Sequence, residues 1–365
     1  MSSVEDASGT VLSWESMRRV LLLLCGVFVA CGARTGLGVG ATRDAATPAD
    51  ASPDAAEDAG PDAAPDVEPP PVVCPPAPTP VLLASGIKPT YDWQLAVDAT
   101  SVYMADDQQI TRFPKCGPGP KQTLTGVEPN SGRVLVDAST VYFLDIVLGG
   151  SVQSVPTIGG SVTTLATAPK GVQPEDLIKA GDTLFYLLSP GGAASGVYSV
   201  PAGGGPSVFV GPAAGVAVAV DVDSVYFIAN TGGSKWALQS RPRTGGAATY
   251  LADSSNVGAI AVDDTTVYFT GWAGKPGFVS SVPKKGGPVT ALSTNDSFPV
   301  HLLLDPPYLY WVDEGQAVKR VLETGGTPEV LASGNLAGIG LDATSLYYSI
   351  SGGTQGNGML YRVDK

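Results

Sequence analysis

The sequence predicts an all-β fold, a seven-bladed β-propeller, on three observations: a strand pair repeated seven times, a Gly-rich turn in the units, and a displaced strand that closes the ring. The repeated phrase is an apolar strand ending in Asp, a polar turn, and a strand ending in an aromatic pair. The copies are LAVDATSVYM (95–104), VLVDASTVYF (134–143), LIKAGDTLFY (177–186), VAVDVDSVYF (218–227), IAVDDTTVYF (260–269), LLLDPPYLYW (302–311) and IGLDATSLYY (339–348). A period of about 40 residues with several short strands per unit is typical of a propeller blade.

Each unit is predicted to hold four antiparallel strands. After the aromatic pair come a loop, a third strand, a Gly-rich turn and an outer strand. The turns are FPKCGPG (113–119), VPTIGG (155–160), VPAGGG (200–205), RPRTGG (241–246), VPKKGG (282–287) and VLETGG (321–326). Paired glycines supply the positive φ angles that tight hairpins require.

The ring is predicted to close with a strand from the start of the repeat region. The seventh unit ends at LYRVDK after three strands and lacks an outer one. The sequence PVLLASG (80–86) matches PEVLASG (328–334), the outer strand of the sixth unit. Residues 80–86 therefore complete the last blade of a propeller at 80–365 and cover an edge that would otherwise template aggregation.

Residues 1–30 are predicted to contain a secretory signal peptide. MRRVLLLLCGVFVAC (17–31) places two arginines before an apolar run that is too short to span a bilayer, and Met17 is predicted as the true start. The end of the run, Phe28 to Cys31, resembles the lipobox of bacterial lipoproteins, which implies lipidation of Cys31. The alternative is ordinary signal cleavage with a spare cysteine.

Residues 31–79 are predicted to be a disordered tether that begins at the lipidated Cys31. The composition is dominated by Ala, Asp and Pro, with eight carboxylates against Arg34 and Arg43. Such a segment has too few large apolar side chains to offset the entropy of ordering, and its charges repel one another. The formal net charge of the chain is −13. Neither the tether nor the propeller offers the basic face that nucleic acid requires.

The phrase LYWVDEGQAVKRVLETGG (309–326) resembles the YWTD repeat of low-density-lipoprotein-receptor-type propellers, with Tyr310, Trp311 and Asp313 on its aromatic and acidic positions. YWTD propellers have six blades and only one unit here has the Tyr-Trp pair, so the resemblance implies a propeller and not a receptor function. The overall layout is similar to bacterial surface lipoproteins in which an Asp/Ala/Pro tether precedes a propeller.

The polar residues of the repeat predict no catalytic or metal site. The recurring Asp is followed by a Thr/Ser/Asp-rich turn, where its side chain is expected to cap backbone N–H groups. His301 is the single histidine of the chain. It lies before the sixth inner strand, near the predicted channel mouth, where it could act as a general base. No nucleophile or set of metal ligands accompanies it at a useful spacing, so we expect no metal and no cofactor.

Cys74 and Cys116 are the two cysteines that remain after processing besides the lipidated Cys31. Exported chains occupy compartments in which disulfides persist. Cys116 lies in the hairpin of the first unit, and Cys74 precedes the closing strand of the seventh unit, its neighbour in the ring. A disulfide between them is predicted, and two free thiols are the alternative.

The loops opposite the Gly-rich turns vary in length and carry aromatic and polar residues, which favours them as a binding face. The candidate residues are Tyr91, Trp93, Asp106, Trp236, Trp272, His301 and Asp313. The equally open alternative for any one of them is packing against a neighbouring blade.

The predicted function is a non-enzymatic lipoprotein, held in a membrane by the lipid on Cys31, that binds an unidentified protein or glycan through this loop face. It is expected to be an exported monomer at the outer membrane or cell surface, with the periplasmic face also open. Two alternatives remain: an enzyme, a hydrolase or lyase with an acidic site at the channel mouth, and a passive structural protein of the envelope.

Overall fold

The computed structural model describes Pro70 and residues 72–365 except 90–94, 107–108, 127–130, 147–148, 190–193, 233–234, 255–256, 273–275, 315 and 353–356. All regular secondary structure in this part of the chain is β-strand. Among these residues there is no helix of the length and apolar character needed to cross a membrane. The signal peptide, Cys31 and nearly all of the predicted tether lie outside the described residues.

The 28 strands form seven four-stranded antiparallel sheets, which are the blades of the predicted propeller. The innermost strands are Ala96–Val97 (β2), Ser131–Val136 (β6), Gln173–Ala180 (β10), Ala214–Val220 (β14), Val257–Val262 (β18), Pro299–Asp305 (β22) and Leu336–Leu341 (β26). The second strands are Ser101–Ala105 (β3), Thr140–Asp145 (β7), Thr183–Ser189 (β11), Ser224–Gly232 (β15), Thr266–Trp272 (β19), Tyr308–Asp313 (β23) and Ser345–Ile350 (β27).

The two outer positions of each blade complete the sheets. The third strands are Gln109–Pro114 (β4), Ser151–Pro156 (β8), Gly196–Pro201 (β12), Lys235–Pro242 (β16), Gly277–Pro283 (β20), Ala317–Leu322 (β24) and Gly358–Asp364 (β28). The outermost strands are Val81–Ile87 (β1), Gln122–Gly126 (β5), Thr163–Thr167 (β9), Val208–Gly211 (β13), Thr249–Asp253 (β17), Thr290–Asp296 (β21) and Glu329–Ser333 (β25). We number the blades 1 to 7 from the one that contains β2.

Blade 7 takes its outermost strand from the start of the ring, as the sequence predicts. Its strand order is β1-β28-β27-β26, and Val81 lies opposite Arg362 in an antiparallel pairing. Leu83 and Ile87 of β1 are 1% and 0% exposed. The amide of Leu95 in blade 1 donates to the carbonyl of Ile339 in blade 7 over 2.8 Å, so the ring is also joined at its inner edge.

The core lies between the blades. Tyr103 of blade 1 belongs to the same buried cluster as Phe143 of blade 2, and Phe185 of blade 3 to the same cluster as Phe227 of blade 4. These side chains stand on the second strands, whose aromatic pairs direct one ring to each face of the blade. Burying one such ring stabilises the fold by about 1.5–3 kcal/mol.

The recurring Asp caps its own turn, as predicted, and it also accepts a hydrogen bond that was not predicted. Asp98 Oδ1 accepts from the amides of Thr100 and Ser101, both at 2.7 Å, and the Tyr103 hydroxyl donates to Asp98 Oδ2 over 2.6 Å. The same set of bonds recurs at Asp137, Asp221, Asp263 and Asp342. The recurring Asp is thus a structural feature of the blade.

The segment 72–79 packs against blades 7 and 1. The sulfurs of Cys74 and Cys116 are bonded at 2.04 Å, with Cα atoms 4.8 Å apart. The Val72 amide donates to the Ala99 carbonyl over 2.9 Å, and Asp364 and Ala77 exchange two hydrogen bonds. Ala77 is 1% exposed. The part of the predicted tether nearest the propeller is therefore ordered against the ring.

Candidate functional site

The strand order divides the propeller into two faces. The turns between first and second strands and between third and outermost strands share one face, which we call the hairpin face. The loops between second and third strands and the crossovers between blades share the opposite one, which we call the loop face. Because each innermost strand runs from the loop face to the hairpin face, its first residues mark the loop-face end of the central channel.

Three ionisable residues occupy the same position in three innermost strands, four residues before the recurring position that holds Asp in six units. Arg133 lies in β6, Asp176 in β10 and His301 in β22. The corresponding residues in three other blades are Ala217, Ala259 and Gly338. This position therefore places three ionisable side chains at the loop-face end of the channel.

Arg133 and Asp176 form an ion pair between blades 2 and 3. The guanidinium Nη1 lies 2.7 Å from Asp176 Oδ1. The same carboxylate accepts from the amides of Leu177 and Val218 over 2.9 and 2.8 Å, so it also joins blade 3 to blade 4. Burial raises the pKa of Asp176, and the Arg133 charge and these hydrogen bonds oppose that shift.

His301 is half-buried and has an uncommon backbone conformation. Its φ of 52° lies in the left-handed region, and the pairing of β22 with β23 shifts register between Val300 and Leu303. Burial, and to a lesser extent the positive charge of Arg133, lowers the pKa of the imidazole well below its ordinary value. At neutral pH the ring is uncharged and can donate one hydrogen bond and accept another. Non-glycine residues in this region of φ are found preferentially at functional sites.

Arg133 and Asp176 were missed in the sequence analysis, although the signal was present. Counting four residues back from the recurring position finds an ionisable residue in three units, Gln94 in a fourth and a small residue in the other three. Of the three residues, only His301 stands out in the sequence, because it is the single histidine.

Asp313 is not the exposed residue that the sequence analysis expected. It is 1% exposed and accepts from the amides of Ser297 and Phe298 over 2.8 and 2.9 Å. Lys319 Nζ lies 2.7 Å from Asp313 and 2.9 Å from Asp296. Burial lowers the pKa of Lys319, but the two carboxylates outweigh that effect and raise it. Asp313 therefore fixes the chain between β21 and β22.

The other residues of the YWTD-like phrase are buried as well. Tyr310 and Trp311 are 1% and 0% exposed. The indole Nε1 of Trp311 donates to Asp296 over 3.1 Å. The phrase thus supplies core and cross-blade contacts.

Asp106 was also predicted to be exposed, and it is buried. It is 2% exposed, its Oδ1 accepts from the Lys88 amide over 2.7 Å, and its Oδ2 lies 2.8 Å from Lys121 Nζ. The carboxylate joins the chain after β1 to the second and outermost strands of blade 1. The role of Asp106 in this structure is therefore to connect blades 7 and 1.

The aromatic candidates differ in exposure. Trp272 is half-buried and its ring centroid lies 3.9 Å from that of Phe298, so it packs between blades 5 and 6. Trp236, at the start of β16, is 36% exposed on the loop face. Tyr91 and Trp93 lie outside the described residues. Among the candidates that the structure describes, Trp236 is exposed, whereas Trp272 and His301 are half-buried.

Comparison with known proteins supports the fold and no more. No protein-family model matches the chain, and no curated sequence matches it. A chain of a crystallised nidogen/laminin complex is similar at 14% identity and a TM-score of 0.51, over 65% of this chain and 93% of that one. The computationally designed Ika8 protein is similar at 13% identity and a TM-score of 0.53, over 79% of this chain and all of the designed one.

A third solved structure is XC5397 of Xanthomonas campestris, described as a gluconolactonase. It matches at 15% identity and a TM-score of 0.49, over 80% of this chain and 94% of that one. Identities this low carry no information about substrate. The chain is a seven-bladed β-propeller, and its function has to be argued from its own residues.

Proposed function

We propose that this protein is a membrane-tethered, non-enzymatic binding module that recognises a protein or glycan through its loop face. In this proposal the lipid on Cys31 holds the N-terminus in the outer membrane or at the cell surface. The propeller then extends from the membrane on the Ala/Asp/Pro-rich segment.

The observation that carries the proposal is the point at which residues 72–79 join the ring. Val72 bonds to Ala99 in a turn of the hairpin face, and Ala77 bonds to Asp364 at the hairpin-face end of β28. The disulfide holds this connection in place. The tether therefore reaches the hairpin face, and the loop face is on the opposite side of the ring, where a partner can approach it.

Two features of the loop face support recognition. Trp236 presents an aromatic surface of the kind that is enriched at binding hot spots. His301 provides an uncharged imidazole at the end of the channel. The acidic candidates for an enzymatic site, Asp106, Asp176 and Asp313, are instead bonded to lysine or arginine and to backbone amides. These contacts favour the binding module over the alternative of a hydrolase or lyase.

The test is affinity capture from envelope extracts with detergent-solubilised full-length protein, comparing wild type with Trp236→Ala and Lys285→Ala. Lys285 is exposed on the hairpin face next to a Gly-Gly turn, so its substitution is a matched surface control. We expect a partner that Lys285→Ala retains and that Trp236→Ala binds at least about tenfold more weakly, the effect of losing one aromatic hot spot. A partner lost in Lys285→Ala but kept in Trp236→Ala would place recognition on the hairpin face.

A further inference from the structure

A cleft of about 270 Å³ opens on the hairpin face of blade 1. Its lining residues are Thr100, Ser101, Arg112, Pro114, Pro120 and Gln122. It lies on the side of blade 1 that faces blade 2, because Arg112 is opposite Tyr103 in the pairing of β3 and β4 and Tyr103 belongs to the cluster shared with blade 2.

The guanidinium of Arg112 is held in place by hydroxyl groups and, among the described residues, not by a direct ion pair. Its Nε donates to Ser101 Oγ over 2.7 Å, and its Nη2 lies 3.4 Å from Thr100 Oγ1. No described carboxylate forms an ion pair with it. Two hydroxyl groups thus orient a positively charged group toward the cleft.

In blade 7, a proline-rich segment binds the arginine at the equivalent position. Arg362 lies opposite Tyr347 just as Arg112 lies opposite Tyr103, and its Nη1 is 3.4 Å from Ser345 Oγ. Its Nη2 donates over 2.6 Å to the carbonyl of Pro75. The arginine is 2% exposed because the proline-rich segment CPPAP (74–78) covers it.

In blade 6, the arginine at the same position forms an ion pair instead. Arg320 lies opposite Tyr310, and its Nη2 is 2.8 Å from Glu329 on the adjacent outermost strand. The residue opposite Arg112 in that register is Gln122, whereas the residue opposite Arg320 is Glu329. Blade 1 therefore has an arginine at the same position as blades 6 and 7. In the part of the chain that the structure describes, it lacks the carboxylate that pairs with the arginine in blade 6, and it lacks the proline-rich segment that covers the arginine in blade 7.

We propose that the Arg112 cleft binds an extended, proline-rich peptide that carries a carboxylate. A planar guanidinium binds a carboxylate through two parallel hydrogen bonds, which a neutral oxygen cannot match in strength. A proline-rich chain is already extended and leaves its carbonyls unpaired, as in the segment that covers Arg362. The rings of Pro114 and Pro120 provide apolar walls for such a chain. This inference does not depend on the proposed function, because the cleft is on the opposite face.

The probe is a fluorescein-labelled peptide PDVEPP, which is the sequence of residues 65–70 and has the required chemistry. Its binding to full-length protein in detergent is measured by fluorescence anisotropy. The control probe PNVQPP replaces both carboxylates by amides. We expect saturable binding of the acidic peptide and at least about tenfold weaker binding of the amide peptide, the effect of losing a charge-assisted pair.

Two variants and one control locate the site. Arg112→Gln removes the guanidinium, and Gln122→Glu places a carboxylate where blade 6 has Glu329, so each is expected to weaken binding at least about tenfold. Gln122→Glu copies a pair that the fold already contains, so it is expected to fold. Lys285→Gln removes one charge from the same face and is expected to change affinity by less than about twofold. Absence of saturable binding by the wild type, or equal affinity of wild type and Gln122→Glu, would overturn the proposal.

Discussion

Lys284 Nζ lies 2.6 Å from Asp221 Oδ2, and this ion pair joins blade 5 to blade 4. Lys284 directly follows the third strand of its blade, and the residues in the same place in blades 1 and 7 are also lysines. Lys115 lies 3.1 Å from Asp342 of blade 7, and Lys365 pairs with Asp305 of blade 6. Asp221 and Asp342 thus cap their own turns with one oxygen and bind the next blade with the other.

The Lys284 pair predicts an acid-sensitive contribution to stability. Burial raises the pKa of Asp221, but bonds from Lys284, Tyr226 and two backbone amides outweigh it and lower the pKa to about 2. The unfolded value is about 3.9. Because the folded pKa is the lower one, the stabilisation is complete above about pH 4 and is lost as the pH falls toward 2.

Lys284→Met is therefore expected to destabilise the propeller by about 1 kcal/mol at pH 7, and by less near pH 2. Denaturant unfolding at both pH values measures the difference. Lys285→Met is the control, because Lys285 is the exposed neighbour in the same turn. Equal effects of the two substitutions, or a Lys284→Met effect that does not change with pH, would contradict the interpretation.

Glu323 occupies the same position in blade 6, where it is acidic, and it predicts a stabilising substitution. It follows the third strand of blade 6, where its Oε1 makes no hydrogen bond among the described residues. Burial raises the pKa of its carboxyl, and the charge of Asp263 in blade 5 adds to that shift. Two carboxylates therefore repel each other at the position where blades 1, 5 and 7 pair a lysine with an aspartate.

Glu323→Lys is expected to restore that pairing and to stabilise the protein by about 1 kcal/mol, a rise in Tm of about 2–4 °C. Glu323→Gln removes only the repulsion, so a smaller rise is expected from it. Thermal unfolding at neutral pH and low salt measures both variants. An unchanged or lower Tm for Glu323→Lys would show that the side chain does not reach Asp263.

The fold could be predicted from the sequence because its signals are local or periodic. The cap at Asp98 involves residues two and three positions later, and the strand pattern repeats about every 40 residues. The closure of the ring by β1 could be predicted because the sequence of 80–86 resembles the outer strand of another unit. The disulfide followed from placing Cys74 and Cys116 on neighbouring blades.

The side-chain contacts between units could not be predicted in the same way. Lys319 reaches Asp296 and Asp313, and nothing in the spacing of these three residues indicates that they meet. The sequence predicts that a polar residue just after an aromatic strand lies in an exposed loop. Asp106 and Asp313 are buried instead because each has a lysine and backbone amides to compensate its charge.

Lipidation of Cys31 remains a prediction that a labelling experiment can test. The sequence before Cys31 resembles a lipobox, whereas Leu24 before Cys25 is too large for the position preceding the modified cysteine. Full-length protein expressed in a bacterium with radiolabelled palmitate is expected to be labelled. Cys31→Ser should lose the label and Cys25→Ser should keep it. Label that persists in Cys31→Ser would rule out the predicted anchor.

The closing strand predicts that two truncations of the chain differ in stability. Deleting 80–86 removes all of β1 except Ile87, leaves β28 as an open edge and exposes the surface that Leu83 covers. Loss of the Leu83 side chain alone is expected to cost about 1.5–3 kcal/mol. Deleting 33–70 removes none of these contacts and is expected to leave the unfolding midpoint unchanged.

Deleting 80–86 also alters the chain between Cys74 and the ring, so a second variant is needed that keeps the chain length. Leu83→Asp serves this purpose. It places a charge at a position that is 1% exposed, so it should lower the midpoint as well. Calorimetry of the three proteins beside wild type measures the order of stability. Equal midpoints for the two truncations, with Leu83→Asp as stable as wild type, would mean that the ring holds without β1.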